Sequence, residues 1–383
     1  MTATELSELY DQIRDTARRF SREKLLPFYM QREKTEKTVD RALLREMGAL
    51  GLIAPELPEQ FGGLGIGSEA SGIIVEEMGY GDFNIGYLPI MGSLMGKIIA
   101  DHAPAHVAAD WVGRIVAGEA VVAVALTEPG GGSDAANLTM RADKVDGGWL
   151  LNGEKTSCST GDQADGILIF ARTGTREERA HGISAFLLDT SARGLSRTRF
   201  DDLGSHILGR GSLYLDDVFI PDDHLIGKPG KGFTKIMQGF DYSRALLGLV
   251  SVGAARASLD ETWRYIQERR AFGEPLSAFQ GVTFPLAEYE GQIEAIRQLC
   301  IQTLRLRDAG LPHTAEAAMC KWMGPKFATD AIQQCLLTHG HYGWSKDLPH
   351  QQRMRDVLGI QIGDGTAQIM KMVIARQRLR ENA

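Results

Sequence analysis

Leu126-Thr127-Glu128-Pro129-Gly130-Gly131-Gly132-Ser133-Asp134 has the composition of a loop that holds a cofactor through its main chain. Its consecutive glycines let the backbone come close to a ligand and adopt φ values that other residues avoid. Thr127 and Ser133 add hydroxyl donors beside them. About 230 residues later, Gly363-Asp364-Gly365-Thr366 sets one carboxylate between two glycines. In isolation a Gly-Asp-Gly is an ordinary turn. Paired with the first segment in a chain of this length, it is hard to dismiss as a turn alone.

Outward from the first segment the periodicity is that of strands. Ile167-Leu168-Ile169-Phe170 and Ile183 to Leu188 are short apolar runs, and Leu213-Tyr214-Leu215 alternates with polar neighbours. Asp146-Gly147-Gly148, Asn152-Gly153, Arg193-Gly194 and Pro221-Asp222-Asp223 punctuate them with turn chemistry, which predicts a compact antiparallel β-domain. On either side the period is helical. Leu6, Leu9, Ile13 and Ala17 form one apolar stripe, a second run spans Ser68 to Met78, and Gly79 to Phe83 is expected to interrupt it. After Gly232, Val252, Ala255, Leu259, Trp263 and Ile266 step by three or four, as do Met319, Met323 and Phe327, with Pro325 expected to kink or split the latter helix. The expected fold is mostly α within an α+β class. It divides into a helical domain over 1–119, a central antiparallel β-domain over 120–229 and a four-helix bundle over 230–383.

The chain has 383 residues, 43% hydrophobic and 24% charged, as in an ordinary globular protein. A net charge of −7 speaks against a nucleic-acid surface, which needs clustered Lys and Arg. Cys158, Cys300, Cys320 and Cys335 show neither CxxC spacing nor partnering histidines, so no metal site or disulfide framework is expected. No secretory leader and no run of 18 apolar residues is visible, and a cytoplasmic location is the expectation.

The two glycine-rich segments resemble the two signatures of the acyl-CoA dehydrogenase family. The similarity continues through Glu154 to Ser159, Val218-Phe219-Ile220-Pro221, Gly230-Lys231-Gly232-Phe233, Phe240 to Arg244, Arg269-Arg270-Ala271-Phe272-Gly273 with Gln280, and Met354-Arg355-Asp356, in the family's order. It covers nearly the whole chain. The resemblance implies an FAD enzyme that oxidises an acyl-CoA between Cα and Cβ, with flavin N5 as hydride acceptor and electron-transfer flavoprotein as oxidant. It also implies a dimer or tetramer with cofactor contacts across subunits.

Residue by residue, the resemblance makes Asp364 the base. It places Leu126, Thr127, Ser157, Cys158, Ser159, Thr366 and Gln368 on the flavin side, and Ser133 where pyrophosphate and pantetheine meet. Arg269, Phe272, Phe279, Gln280, Leu337, Gly340 and His341 fall on the pyrophosphate and adenine side, where Arg269 reaches a neighbouring subunit's cofactor. Ser133, Asp241, Arg244, Gly363, Gly365 and Arg376 fall on the acyl-CoA, although Asp241 and Arg244 also read as a buried ion pair. The sequence departs from the family at several points. Asp364 stands for a Glu, Gly363 for a bulkier residue that is often Tyr, Ser157 for a Trp and Ser159 for a Thr. Leu337 stands for a Gln, and Gly340-His341-Tyr342-Gly343 for a Gly-Gly-Asn-Gly run. A shorter base beside an opened position suggests an acyl group branched or cyclic at Cα, such as cyclohexane-1-carboxyl. Asp82 is a second candidate base, for a 1,4-elimination from a cyclohexene-carboxyl thioester, although it reads more simply as a residue at a helix boundary. The same residues also allow a dehydrogenase of short or branched acyl-CoAs, and a homologue that binds without turnover.

Overall fold

The computed structural model describes residues 2–35 and 37–381. Helices α1 (Ala3–Phe20), α2 (Tyr29–Thr35), α3 (Arg41–Ala49), α4 (Ser68–Gly81), α5 (Phe83–His102) and α6 (Ala105–Val116) come first. Thr2 opens α1 with a reciprocal capping box to Glu5. The expected interruption after Met78 is narrower than the sequence suggests, because α4 continues to Gly81 and only Asp82 breaks the helix. Gly79 and Gly81 serve close packing instead. A Cβ on Gly79 would lie 2.4 Å from the Val250 carbonyl oxygen, and one on Gly81 2.5 Å from Ser21 Oγ. Helix α5 is long and apolar enough to cross a membrane, but 83% of its apolar window is packed inside the protein. It is a core helix.

The sheet that follows has the order β6-β7-β3-β2-β4-β5-β8, with β1 paired to β4. Its strands are β1 (Val122–Ala125), β2 (Arg141–Val145), β3 (Gly148–Ser159), β4 (Gly166–Arg172), β5 (Ile183–Asp189), β6 (Leu195–Arg197), β7 (Arg210–Pro221) and β8 (Leu225–Ile226). Most pairs are antiparallel; β1 and the first residue of β2 pair in parallel with β4. Trp149, Leu151, Ile169, Phe186, Leu188, Leu213 and Ile220 form its own core. The β3–β7 register shifts between Lys155 and Cys158, a bulge of the kind that re-aims side chains beside a functional site.

Four long elements close the chain: α7 (Gly232–Glu268), α8 (Gln280–Asp308), α9 (Thr314–Thr338), and α10 (His350–Ile360) continuing to α11 (Ala367–Glu381). A short hairpin of β9 (Arg270–Ala271) and β10 (Glu274–Pro275) joins α7 to α8. Pro325 does not split α9, which runs unbroken from Thr314 to Thr338. An internal proline costs about 3 kcal/mol, and burial compensates: Gly324 and Pro325 are buried, and a Cβ on Gly324 would lie 2.7 Å from Gly248 Cα of α7.

One buried polar hub joins the regions. Asp82 Oδ2 accepts from Arg32 Nε at 2.7 Å, while its Oδ1 caps α5 at the Asn84 and Ile85 amides. Asp356 of α10 accepts from the Tyr29 hydroxyl at 2.6 Å, the Asn84 amide at 2.9 Å and the Ser205 N–H at 2.6 Å. Burial pushes the Asp356 carboxyl up to about 6, against the pull of its hydrogen bonds from Tyr29 and Ser205.

Candidate active site

The glycine-rich loop after β1 is held from below by a buried ion pair. Lys155 of β3 is fully buried, and its Nζ donates to Glu128 Oε1 at 2.7 Å and to the Leu126 carbonyl at 3.1 Å. Glu128 also accepts from the Thr139 N–H and hydroxyl, each at 2.6 Å, and from the Met140 N–H at 2.9 Å. Burial alone would raise the Glu128 carboxyl. Lys155, Thr139 and Met140 more than offset it and hold the group below the ordinary range. The Thr156 N–H adds a 2.9 Å bond to the Thr127 carbonyl, tying loop to strand. The sequence pointed to the loop but not to this pair beneath it.

Above that support the loop is open. A Cβ on Gly130 or Gly131 would meet nothing within 4 Å, and neither glycine has a positive φ. The fold itself therefore makes no demand for glycine at either position; space for an external group is the remaining reason. Leu126 and Thr127 are half-buried, and Ser133 is exposed on the rim. Those features fit a bound cofactor held along its main-chain side.

Ser157 sits in the β3 bulge at φ +58°. Its hydroxyl accepts from Arg210 Nη1 at 3.2 Å, and Arg210 in turn clasps Asp202. Arg210 therefore neighbours Ser157, the position where the family resemblance leads one to expect a Trp, and no motif flagged it. The Cys158 side chain is buried in the β-domain core, with its thiol pushed up to about 12 by burial, which leaves its backbone for the expected cofactor contact. Ser159 is half-buried and lies near the Tyr87 hydroxyl of α5. Burial, and then the Asp364 carboxylate, push the Tyr87 phenol up, which puts Tyr87 in the same electrostatic neighbourhood as the base. No motif in the sequence singled out Tyr87.

Asp364 lies between α10 and α11 in the left-handed region at φ +52°. Gly365 follows at φ +95°, where a Cβ would meet Met370 Cε at 2.6 Å. Thr366 then caps α11, its hydroxyl accepting from the Ile369 N–H at 3.4 Å; Gln368 is exposed. Gly363 is different. It has no positive φ, and the nearest atom to a Cβ there is the Gly359 carbonyl oxygen at 3.8 Å. Desolvation pushes the Asp364 carboxyl above its ordinary value, while Lys321 and Arg244 pull the other way.

Asp241 and Arg244 of α7 do form a buried ion pair, at 2.5 Å, with Thr314 donating to the second Asp241 oxygen at 2.6 Å. Arg244 Nε is nonetheless buried without an acceptor. A buried donor without a partner is costly, and this one lies near the base, where a ligand oxygen could satisfy it. Arg376 is exposed on α11.

The remaining expected contacts lie elsewhere in the subunit. Arg269, Phe272 and Gln280 are exposed at the far end of α7 and the start of α8, with Phe279 half-buried against Phe272 at 6.2 Å. Leu337, Gly340 and His341 are exposed at the end of α9. Helix α7 begins against the β-domain, where Phe233 meets Phe170 of β4. At 1.5 Å per residue its 37 residues span about 55 Å. One chain therefore does not bring Arg269 to the same ligand as Thr127. Asp82 is no free base either, since both its oxygens are engaged by Arg32 and the α5 amides.

Comparison with known proteins names the class that this arrangement defines. The chain matches the N-terminal domain of acyl-CoA dehydrogenases over residues 7–119, the middle domain over 123–218 and the C-terminal domain over 230–379. It belongs to the acyl-CoA dehydrogenase family, and so is an FAD-dependent oxidoreductase acting on acyl-CoA. It is 32% identical to the mitochondrial short-chain specific acyl-CoA dehydrogenase of Rattus norvegicus, over 99% of this chain and 92% of that one. Butyryl-CoA dehydrogenase from Megasphaera elsdenii superposes with a TM-score of 0.93 at 28% identity, covering 99% of each chain. A structure described as the electron transferring flavoprotein of Acidaminococcus fermentans superposes at 0.94 with 30% identity, again over 99% of each.

Proposed function

We propose that the chain dehydrogenates an acyl-CoA that is branched or cyclic at Cα, with cyclohexane-1-carboxyl-CoA as the leading substrate and Asp364 as the base. The observation that carries this is Gly363. Its backbone needs no glycine and its Cβ would have room, so the missing side chain is best explained by what must fit beside the base. Asp is one methylene shorter than the family's Glu, about 1.5 Å of reach, and a proton acceptor must come within about 3 Å of its target. A ring at Cα shortens that gap from the substrate side.

Asp364 takes the α-proton, and its raised pKa brings it closer to the operating pH, as a general base requires. The Asp364 N–H, turned by the left-handed backbone, serves the thioester oxygen as it gains negative charge. FAD, when bound, supplies the acceptor for the hydride leaving Cβ, chemistry that no side chain offers. Leu126, Thr127, the backbone of Cys158, Ser157, Ser159, Thr366 and Gln368 would hold its flavin side, and Ser133 the junction of its pyrophosphate with the pantetheine of the substrate. Arg269, Phe272, Phe279, Gln280, Leu337, Gly340 and His341 serve the cofactor of a second copy, a role supported by the length of α7. Arg244, Gly365 and Arg376 face the acyl-CoA, with Asp241 orienting Arg244. Electron-transfer flavoprotein is the oxidant, a homotetramer the assembly, and the cytoplasm the location we assign.

A short acyl chain is the second reading, favoured by similarity to a short-chain specific relative. The engaged state of Asp82 speaks against a 1,4-elimination from that residue. The test is the visible spectrum of the purified flavoprotein, taken anaerobically before and after cyclohexane-1-carboxyl-CoA. Rapid bleaching of the flavin band is expected. A band that persists there but bleaches with butyryl-CoA would overturn the cyclic substrate, and bleaching by Asp364→Ala would overturn the base.

A further inference from the structure

We infer that Lys321 is the positioning residue of the base: its buried ammonium fastens both ends of the loop that presents Asp364 and sets a positive charge near that carboxyl. Lys321 lies in the middle of α9 and is fully buried. An ammonium out of water is costly unless its protons are engaged. Its Nζ donates to the Ile360 carbonyl at 2.7 Å and also to the Gly365 carbonyl. Ile360 is the last residue of α10, so its carbonyl has no partner within the helix, and a cation there also meets the negative end of the helix dipole. Gly365 directly follows the base.

The four residues between those carbonyls are therefore closed into a loop by one side chain. Within it, a non-glycine residue, Asp364, is kept at φ +52°. Such a conformation persists only where its surroundings over-determine it. The turn amides of Gln361, Ile362 and Gly363 all bond back to α10, and so fix the start of the loop but not its end. The Gly365 carbonyl is fixed by Lys321. The titratable and charged groups around the base are Lys321 of α9, Arg244 of α7 with its partner Asp241, and Tyr87 of α5. Of the two cations, Arg244 is already neutralised by Asp241 at 2.5 Å. Lys321 bonds only to carbonyls, which leaves its charge as the larger uncompensated field at Asp364. Consistent with that geometry, burial pulls the Lys321 ammonium down to about 8 while Asp364 holds it up.

The inference rests on Asp364 being the base, so Asp364→Ala is run in parallel and must be inactive; an active Asp364→Ala overturns both. The variant is Lys321→Met, which keeps the length and removes charge and donors. The measurement is the single-turnover rate of flavin bleaching across pH, with whichever of butyryl-CoA and cyclohexane-1-carboxyl-CoA the wild type bleaches faster. Misplacement of a reacting group by about 1 Å costs on the order of 100-fold. Lys321→Met is expected to lose on the order of 100-fold in rate while retaining FAD, with the acid limb moved to higher pH because the base has lost its cation. Lys321→Gln, which keeps an N–H donor without the charge, should recover part of the rate but not the acid limb. An unchanged rate, or a slower rate with the acid limb unmoved in both variants, would overturn the inference. So would loss of FAD by both variants, since Lys321 would then serve the fold and not the base.

Discussion

Replacing Lys155 by Met probes the support beneath the cofactor loop. Lys155 is fully buried and pairs with Glu128 at 2.7 Å, the one ion pair of Glu128 among the described residues. Without it the Glu128 carboxylate keeps three donors from Thr139 and Met140 but loses its counter-charge in a dry setting. Removing one partner of a buried pair costs about 3–5 kcal/mol, and the Leu126 carbonyl loses its donor as well. Restoring neutrality with Glu128→Gln in the same chain should recover a sizeable part, on the order of 1–3 kcal/mol, because the amide oxygen can still accept from Thr139. The assay is a double-mutant cycle of denaturant or thermal unfolding, followed by intrinsic fluorescence, beside FAD titration of each apoprotein. The pH sign follows from Glu128. Its pKa is held below the ordinary value, so its stabilisation is present at neutral pH and lost as pH falls through that depressed pKa. Lys155→Met should remove that acid-side dependence. A Lys155→Met protein that unfolds within about 0.5 kcal/mol of wild type and binds FAD as tightly would refute the reasoning.

The acid limb of kcat/KM should lie above the ordinary carboxylate range near 4, because the base must be ionised and its pKa is raised; a limb at or below about 4 contradicts the assignment. Gly363→Tyr should fold normally, given the free space at its Cβ, and shift preference by about 10-fold or more from cyclic towards straight-chain thioesters in a substrate panel. Gly131→Val should leave the unfolding midpoint nearly unchanged while lowering FAD content, since the side chain enters space that the fold leaves open. His350 is pulled down to about 3 by burial, so the native state loses stability as pH falls below about 6.5, by up to about 1.4 kcal/mol per unit. His350→Phe should flatten that slope in unfolding measured between about pH 4 and 7.

The mostly α architecture and its antiparallel-rich centre were legible because hydrophobic period changes twice along the chain and turn dipeptides mark the strands. The glycine-rich loop and the Gly-Asp-Gly turn were legible because their residue types are costly without a reason. The support behind them was not. Lys155, Lys321 and Arg210 look like ordinary cations in sequence, since burial and partner choice come from contacts far along the chain. Pro325 misled for the same reason: local propensity opposes a continuous α9, and packing against α7 overrides it. The inward turn of the Cys158 side chain was hidden as well, because the bulge between Lys155 and Cys158 shifts the alternation of β3.

The hub of Arg32, Asp82, Asn84, Tyr29, Asp356 and Ser205 bears on how the protein breathes. It pins α2, α5, the loop before β7 and α10 at one dry point, one helical turn and a loop ahead of the base. Opening α2, α5 or the loop before β7 would take a donor from a buried carboxylate of another segment, and opening α10 would strand the Tyr29 hydroxyl and the Asn84 amide. Their slow amide protons should therefore exchange as one cooperative unit, with a shared opening free energy. The exposed ends near Phe272 and His341, which take no part in the hub, should exchange well before it.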